Sequence, residues 1–198
     1  MSDPIPRSLR LLLVQDTPNR GTVAEAVAGL AGVAVTQVLD SPLELLRSVE
    51  LHQPDVVLID TASPTRDVLE QLAAVSARAP RPVVVLTDDA HEAAIHAALG
   101  AGVSAYVVDG VEPRRLEPIL RIAIERFRRQ QEMRAELEDT RARLAERKQV
   151  EQAKGILMKQ RGCDEQEAFA ALRSLAMQRG IRLGEAARQV IDVASLLV

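Results

Sequence analysis

A chain of 198 residues holds one ordinary domain, or one with a small appendage, and is too short for a multidomain enzyme. Hydrophobic residues at 47% and charged residues at 27% match globular averages, which excludes wholesale disorder and a fibrous class. With no Trp, one Tyr and two Phe, the core is built from Ala, Leu, Val and Ile, and aromatic platforms for single-stranded nucleic acid are excluded. One cysteine, Cys163, allows neither an internal disulfide nor a multi-thiolate metal site, and His52, His91 and His96 have no ligand spacing. The first ten residues are polar and contain proline, and no apolar run reaches spanning length, so a cytoplasmic protein without membrane contact is expected.

The net charge of −3 hides a division along the chain. Residues 1–112 carry 7 Lys/Arg against 15 Asp/Glu, a net of −8. Residues 113–146 carry 9 against 7, and residues 147–198 carry 9 against 6, a net of +3 for that last stretch. An acidic front and a mildly basic rear suggest an anionic partner for the rear.

In chain order, Leu9 to Gln15, Val33 to Leu39, Asp55 to Ile59, Pro82 to Leu86 and Ser104 to Val108 are short apolar runs bounded by Pro, Gly or Asp, and they predict five buried strands. Between them, Pro18 to Ala31, Pro42 to His52, Arg66 to Ala79 and Ala90 to Gly100 repeat apolar residues at three and four, as helices do. Strands that are apolar throughout and separated by amphipathic helices predict an α/β fold, a doubly wound five-stranded parallel sheet covered on both faces. The functional crevice of such a sheet lies at the carboxyl ends of its strands. Those ends carry Asp16, Asp60, Thr87 and Asp109.

With Pro64 four residues after Asp60, and Ser104-Ala105-Tyr106-Val107-Val108 behind the Gly100-Ala101-Gly102 turn, residues 8 to 125 resemble a flavodoxin-like response-regulator receiver domain. The resemblance implies that an acidic pair after the first strand and an aspartate after the third hold Mg²⁺. It makes Asp60 the phosphoacceptor, Thr87 its hydrogen-bonding partner and a lysine after the fifth strand the neutralising cation. Here Asp16 supplies one acid, Gln15 stands where the other is often found, and Asp109 replaces the lysine. Losing one carboxylate weakens a hard-cation site on Asp16 and Asp60. At 4 Å and an effective dielectric of 20 a unit charge pair is worth roughly 4 kcal/mol, attractive for an ammonium beside a phosphoryl group and repulsive for a carboxylate. Asp60 is therefore expected to be a vestigial acceptor, and the domain to be switched by a protein partner.

From Pro113 to about Arg161 the only further proline is Pro118, which puts the expected helix start slightly later than Pro113. Leu116, Leu120, Ala123, Phe127, Gln130, Leu137 and Leu144 form a thin apolar seam, which predicts a coiled coil with one partner helix and a homodimer. The expected layout is a tail at 1–8, a receiver-like domain at 9–124, a coiled-coil linker helix at 125–146 and a three-helix unit at 147–198.

The rear unit predicts helices ending at Gln160, then Asp164 to Gln178 and Leu183 to Leu197, with stops at Gly162 and Gly180. Phe169 is expected to be the one large filler of their core, Gly155 to serve helix packing, Cys163 to be a small turn residue, and His91 and His96 to lie on the surface. The string Arg147-Lys148-Gln149-Val150-Glu151-Gln152-Ala153-Lys154-Gly155-Ile156-Leu157-Met158 is similar to the opening of the ANTAR RNA-binding domain, and Ala168-Phe169, Leu172-Arg173 and Ala176-Met177 follow at its spacings. Together with Gln15-Asp16, Asp109-Gly110 and the run Asp60 to Asp67, the whole chain resembles the NasT-like group of nitrate-assimilation antiterminators.

That resemblance implies a pair of ANTAR domains on two hairpins of a nascent leader RNA, so that a terminator does not form and RNA polymerase reads on into nitrate and nitrite reductase genes. It also implies a nitrate-binding partner resembling a solute-binding protein, which holds the regulator until nitrate releases it. Arg147, Lys148, Lys154, Lys159, Arg161, Arg173 and Arg182 are the expected RNA-contacting cations, suited to phosphates and unstacked loop bases. A DNA-binding regulator and a pure protein adaptor are the rivals, and no nucleophile–base pair, metal cluster or phosphate loop points to an enzyme.

Overall fold

The central strands have no solvent face. β3 (Val56–Asp60) and β4 (Val83–Thr87) are buried at every residue, which is why their sequences are apolar without alternation. They lie inside a parallel sheet with β1 (Leu9–Gln15), β2 (Val33–Leu39) and β5 (Ala105–Val108), in the order β2-β1-β3-β4-β5. Here α1 (Gly21–Ala28), α2 (Leu45–His52), α3 (Arg66–Arg78) and α4 (Glu92–Gly100) alternate with the strands, and α5 (Pro113–Arg161), α6 (Glu165–Arg179) and α7 (Leu183–Ser195) follow. This computed structural model describes residues 8–15, 21–109 and 111–195. It divides into two units, residues 1–131 and 132–198, and α5 contributes to both.

Alternate strand residues feed opposite cores of the sheet unit. Leu12, Val14, Val57, Ile59 and Val85 pack with Val49, Val68 and Leu72 on one side. Leu11, Leu13, Val56, Leu58 and Val84 pack with Val27, Leu116, Leu120 and Ala123 on the other. The first part of the expected coiled-coil seam is thus spent on the sheet. One register shift occurs where Leu11 pairs with Val35 and Leu12 with Gln37, leaving Thr36 as the extra residue, its hydroxyl donating to the Leu11 carbonyl at 3.1 Å. Gly102 is required by its turn: its φ is +97°, and an added Cβ would stand 2.6 Å from the Ser76 hydroxyl oxygen.

Strands β3 and β4 run one residue further than the sequence pattern predicts, so Asp60 and Thr87 are the last strand residues rather than the first loop residues. In register, Asp60 pairs with Gln15 on one side and Leu86 on the other. α5 begins at Pro113 itself, with Pro118 inside it. A proline there forfeits one backbone hydrogen bond in the second turn, which a helix clamped to a sheet through Leu116 and Leu120 tolerates.

The helical unit closes on small residues. Ala153, Leu157, Ala168, Leu172, Ala186 and Ala187 are buried together, and alanines at the crossings let α5, α6 and α7 approach closely. Phe169 is not the filler expected of it: it is 41% exposed, and Leu172, fully buried, fills the centre. α6 opens with a reciprocal capping box, Glu167 N donating to Asp164 Oδ1 at 2.8 Å and Asp164 N to Glu167 Oε2 at 3.1 Å, and it stops at Gly180, φ 62°. α7 is capped from another helix. Gly184 N donates to Glu146 Oε1 at 3.2 Å, an approach so close that a Cβ at 184 would sit 2.7 Å from the Glu146 Cγ.

Between the two cores α5 is exposed at nearly every residue from 128 to 148. Ion pairs Arg129–Glu125 at 3.2 Å and Arg143–Asp139 at 2.7 Å, each four residues apart, run along it. Leu137 and Leu144 of the expected seam stand out in solvent, as does Met133.

Candidate functional site

At the carboxyl edge of the sheet, Asp60 and Thr87 end neighbouring strands and are 1% and 0% exposed. The Thr87 hydroxyl donates to the Ala62 carbonyl at 2.8 Å and accepts from Asp89 N at 3.2 Å. Asp109 follows β5, is exposed, holds φ at +65°, and donates its backbone N–H to the Thr87 carbonyl at 3.1 Å. Asp16, the remaining residue of the expected pocket, lies outside the described residues. The described donors at this edge offer one buried carboxylate, Asp60, beside the amide residue Gln15, short of the several charged oxygens that a Mg²⁺ site uses. Among the described residues no cluster of three or more metal-ligating side chains occurs.

A second polar group ties the two loops above this edge together. Ser63, after β3, donates through Oγ to Asp89 Oδ2 at 2.6 Å, and His91 donates through its backbone N–H to Asp89 Oδ1 at 2.9 Å. The Ser63 hydroxyl, the His91 N–H and the His91 ring hold the Asp89 carboxyl at about 2, below the ordinary 3.8. Tyr106 on β5 donates its hydroxyl to the Asp89 carbonyl at 2.9 Å. Burial and the nearby Asp89 charge raise the Tyr106 phenol above its usual value. Ser63 and Asp89 carry no sequence signal for this clasp, because each reads as an ordinary polar loop residue.

In the helical unit the expected cations differ in exposure. Lys148 and Lys159 are exposed on the outer side of α5, one on either side of Gly155. Gly155 itself is exposed, and a Cβ there would meet nothing within 4 Å. The packing role expected of it is therefore overturned: no neighbour among the described residues needs the glycine. Arg147, Arg161, Arg173 and Arg182 are exposed, and among the described residues none of these six cations makes an ion pair.

Lys154 is different. It is 8% exposed, and its Nζ lies 2.7 Å from Glu165 Oε1 and 2.9 Å from Glu151 Oε2, which raises its pKa above the ordinary 10.5. The ammonium is committed to tying α5 to α6. Beside Arg161, a hollow of about 210 Å³ is lined by Leu157, Leu175, Val190 and Val193 with Arg179 and Gln189 at its rim. The Arg179 guanidinium donates to the Gln189 amide oxygen.

These two units match known protein families. Residues 11–121 match the response regulator receiver domain, and residues 138–191 match the ANTAR domain. The chain is 32% identical over 149 residues to the transcriptional regulatory protein PdtaR of Mycobacterium tuberculosis, covering 75% of this chain and 73% of that one. It belongs to the response regulators that join a receiver to an ANTAR domain. Against the nitrate regulatory protein of Klebsiella oxytoca it is 32% identical over 88 residues, 44% of this chain and 22% of that protein. The signal receiver domain of the response regulator NarL from Mycobacterium tuberculosis superposes with a TM-score of 0.53 and 26% identity, over 60% of this chain and 98% of that one. Both receiver and ANTAR domains are regulatory modules. No helix among the described residues is long and apolar enough to cross a membrane.

Within the receiver, Asp60 and Thr87 are the last residues of β3 and β4, and Asp109 follows β5. Within the ANTAR domain, sequence reasoning found the exposed cations but missed that Lys154 is internal. Its signal was available: Glu151 lies three residues before it on the same helix, a spacing that favours an ion pair.

Proposed function

We propose that this response regulator binds paired hairpins in a nascent leader RNA through its ANTAR domain, so that a terminator does not form and RNA polymerase reads through into nitrate and nitrite assimilation genes. A nitrate-sensing partner protein resembling a solute-binding protein controls it, in place of ordinary phosphorylation. The observation that carries the reading is the match of residues 138–191 to the ANTAR domain on the unit that presents Arg147, Lys148, Lys159, Arg161, Arg173 and Arg182 to solvent without ion pairs. The likeness to a nitrate regulatory protein supports the choice of operon. Exposed Met133, Leu137 and Leu144, spaced to line one side of α5, support pairing with the same helix of a second copy, which brings two RNA-binding units together.

Asp109 in the place of a lysine, and a Thr87 hydroxyl already donating to Ala62, support control by a partner. The vestigial reading of Asp60 and of a weak Mg²⁺ site on Asp16 and Asp60 rests on the same substitution. A second reading, a phosphorylation-switched regulator of another operon, is favoured by the burial of Asp60 beside Thr87 at adjacent strand ends. Two measurements separate them. Binding of the full chain to a hairpin leader RNA, with and without the nitrate-binding partner and nitrate, tests the first: RNA binding that the partner suppresses and nitrate restores is expected. Intact mass after incubation with Mg²⁺ and a small phosphodonor tests the second: rapid stoichiometric phosphorylation that changes the oligomeric state would overturn control by the partner alone.

A further inference from the structure

Phe169 is 41% exposed although its unit has a core to bury it in. One turn on, Arg173 is exposed and makes no ion pair among the described residues, and one turn further Met177 is 73% exposed. Spaced by four, the three lie along one side of α6 over about 12 Å at 1.5 Å per residue. Leaving an aromatic and a thioether in water beside an unpaired guanidinium costs hydrophobic free energy and gains nothing inside the chain. The acidic neighbour one turn before Phe169 is Glu165, whose carboxylate is held by the Lys154 ammonium at 2.7 Å, so the stripe faces outward without an uncompensated negative charge. Asp164 and Glu167 are likewise occupied in the capping box of α6.

We infer that this stripe is a stacking platform for one unstacked base of an RNA hairpin loop: the ring of Phe169 lies against the base, and Arg173, one turn on, takes the adjoining phosphate. The inference rests on the RNA-binding reading above and names the contact within it. A flat π-face beside a guanidinium is the chemistry that single-stranded nucleic acid uses, since every base offers a π-face and every linkage a phosphate. It also corrects the exclusion drawn from composition. A scarcity of aromatics rules out a long stacking track, but a hairpin loop that presents one splayed base needs a single ring. Lys154 acquires a role that a surface lysine would not have: it neutralises Glu165 at the start of the stripe.

The test uses the full chain and stem-loop RNAs carrying 2-aminopurine at each loop position in turn. Wild-type protein is expected to quench the fluorophore at one loop position. Phe169→Tyr keeps the ring and keeps the quench. Phe169→Leu keeps the apolar surface without the π-face and loses the quench, with affinity weakened roughly 5- to 150-fold, the range of one base–aromatic stack. Arg173→Ala leaves the quenched position unchanged but lowers the slope of log affinity against log salt by roughly 0.7, one phosphate contact. Far-UV circular dichroism of each variant is expected to match wild type, because the replaced side chains are exposed. Wild-type binding to the stem-loop with no quench at any loop position, or Phe169→Leu binding as tightly as wild type, overturns the platform while leaving RNA binding intact. Loss of affinity in Phe169→Leu for a protein partner but not for RNA also overturns it. Absence of wild-type binding to any stem-loop defeats the broader RNA reading instead.

Discussion

The receiver and the ANTAR domain place their polar chemistry in opposite ways. In the receiver, Asp60 and Thr87 are buried at strand ends, and the loops above them are fastened by Thr87 to Ala62 and by Asp89 to Ser63 and His91. In the ANTAR domain, cations and the Phe169 stripe stand in solvent on a core of small residues, and only Lys154 is turned inward. A buried site needs its geometry fixed by the sheet, so it is written into strand termini. An exposed site needs only a rigid helix beneath it, and its side chains are chosen by what comes to meet them. The receiver's polar groups are thus held by the sheet and its loops, whereas those of the ANTAR domain are carried on helix surfaces.

The sharpest way to break this contrast is to attack the smaller core. Leu172→Ala removes the fully buried centre of the bundle and is expected to cost about 3 kcal/mol, abolishing RNA binding while the receiver still melts at its own temperature. Calorimetry of the full chain checks it; a single melting transition displaced as a whole would show that the two units do not fold independently. Next in size, Gly102→Ala forces a side chain into a positive-φ turn and against Ser76, and is expected to destabilise the receiver by about 2 kcal/mol in urea without altering RNA affinity.

A smaller change of opposite sign follows from Gly155. Because an added Cβ meets nothing within 4 Å among the described residues, Gly155→Ala is expected to raise helix stability by about 0.5–1 kcal/mol, measured by thermal melting. A simultaneous loss of RNA affinity would mark the Lys148–Lys159 side of α5 as a place where RNA approaches the backbone. The smallest expected effect is at the receiver clasp. Ser63→Ala removes the largest cause of the low Asp89 pKa, so the carboxyl is expected to titrate above its wild-type value of about 2, toward 3.8, by carbon-detected NMR. A folded-state pKa below the unfolded one contributes stability that is present above 3.8 and lost as pH falls through about 2, so the clasp is intact at neutral pH.

Much of the receiver was legible in the sequence because period and punctuation speak directly about strands. All five lie within one residue of their apolar runs, and Asp60 and Thr87 followed from their places after the third and fourth. The Asp89 clasp was not legible, since it joins residues 26 positions apart through loops whose course no local pattern fixes. In the ANTAR domain the helix stops at Gly162 and Gly180 were readable. Phe169 was misread because a large apolar residue in a helical pattern looks like core whether or not a cavity waits for it. Gly155 was misread for the related reason that a helix-interior glycine announces close approach without saying by what. Lys154 shows the limit for charges: its two carboxylates come from its own helix and from α6, and only the fold brings the second within reach.

RNA hairpins are the proposed ligand of the ANTAR domain of this regulator. The most direct test is a salt titration of full-chain binding to a leader stem-loop in competition with duplex DNA of matching sequence. RNA binding is expected to persist against excess duplex and to weaken linearly in log salt as several phosphate contacts are screened. Equal or tighter binding to the duplex, or no stem-loop binding at low ionic strength, would contradict it.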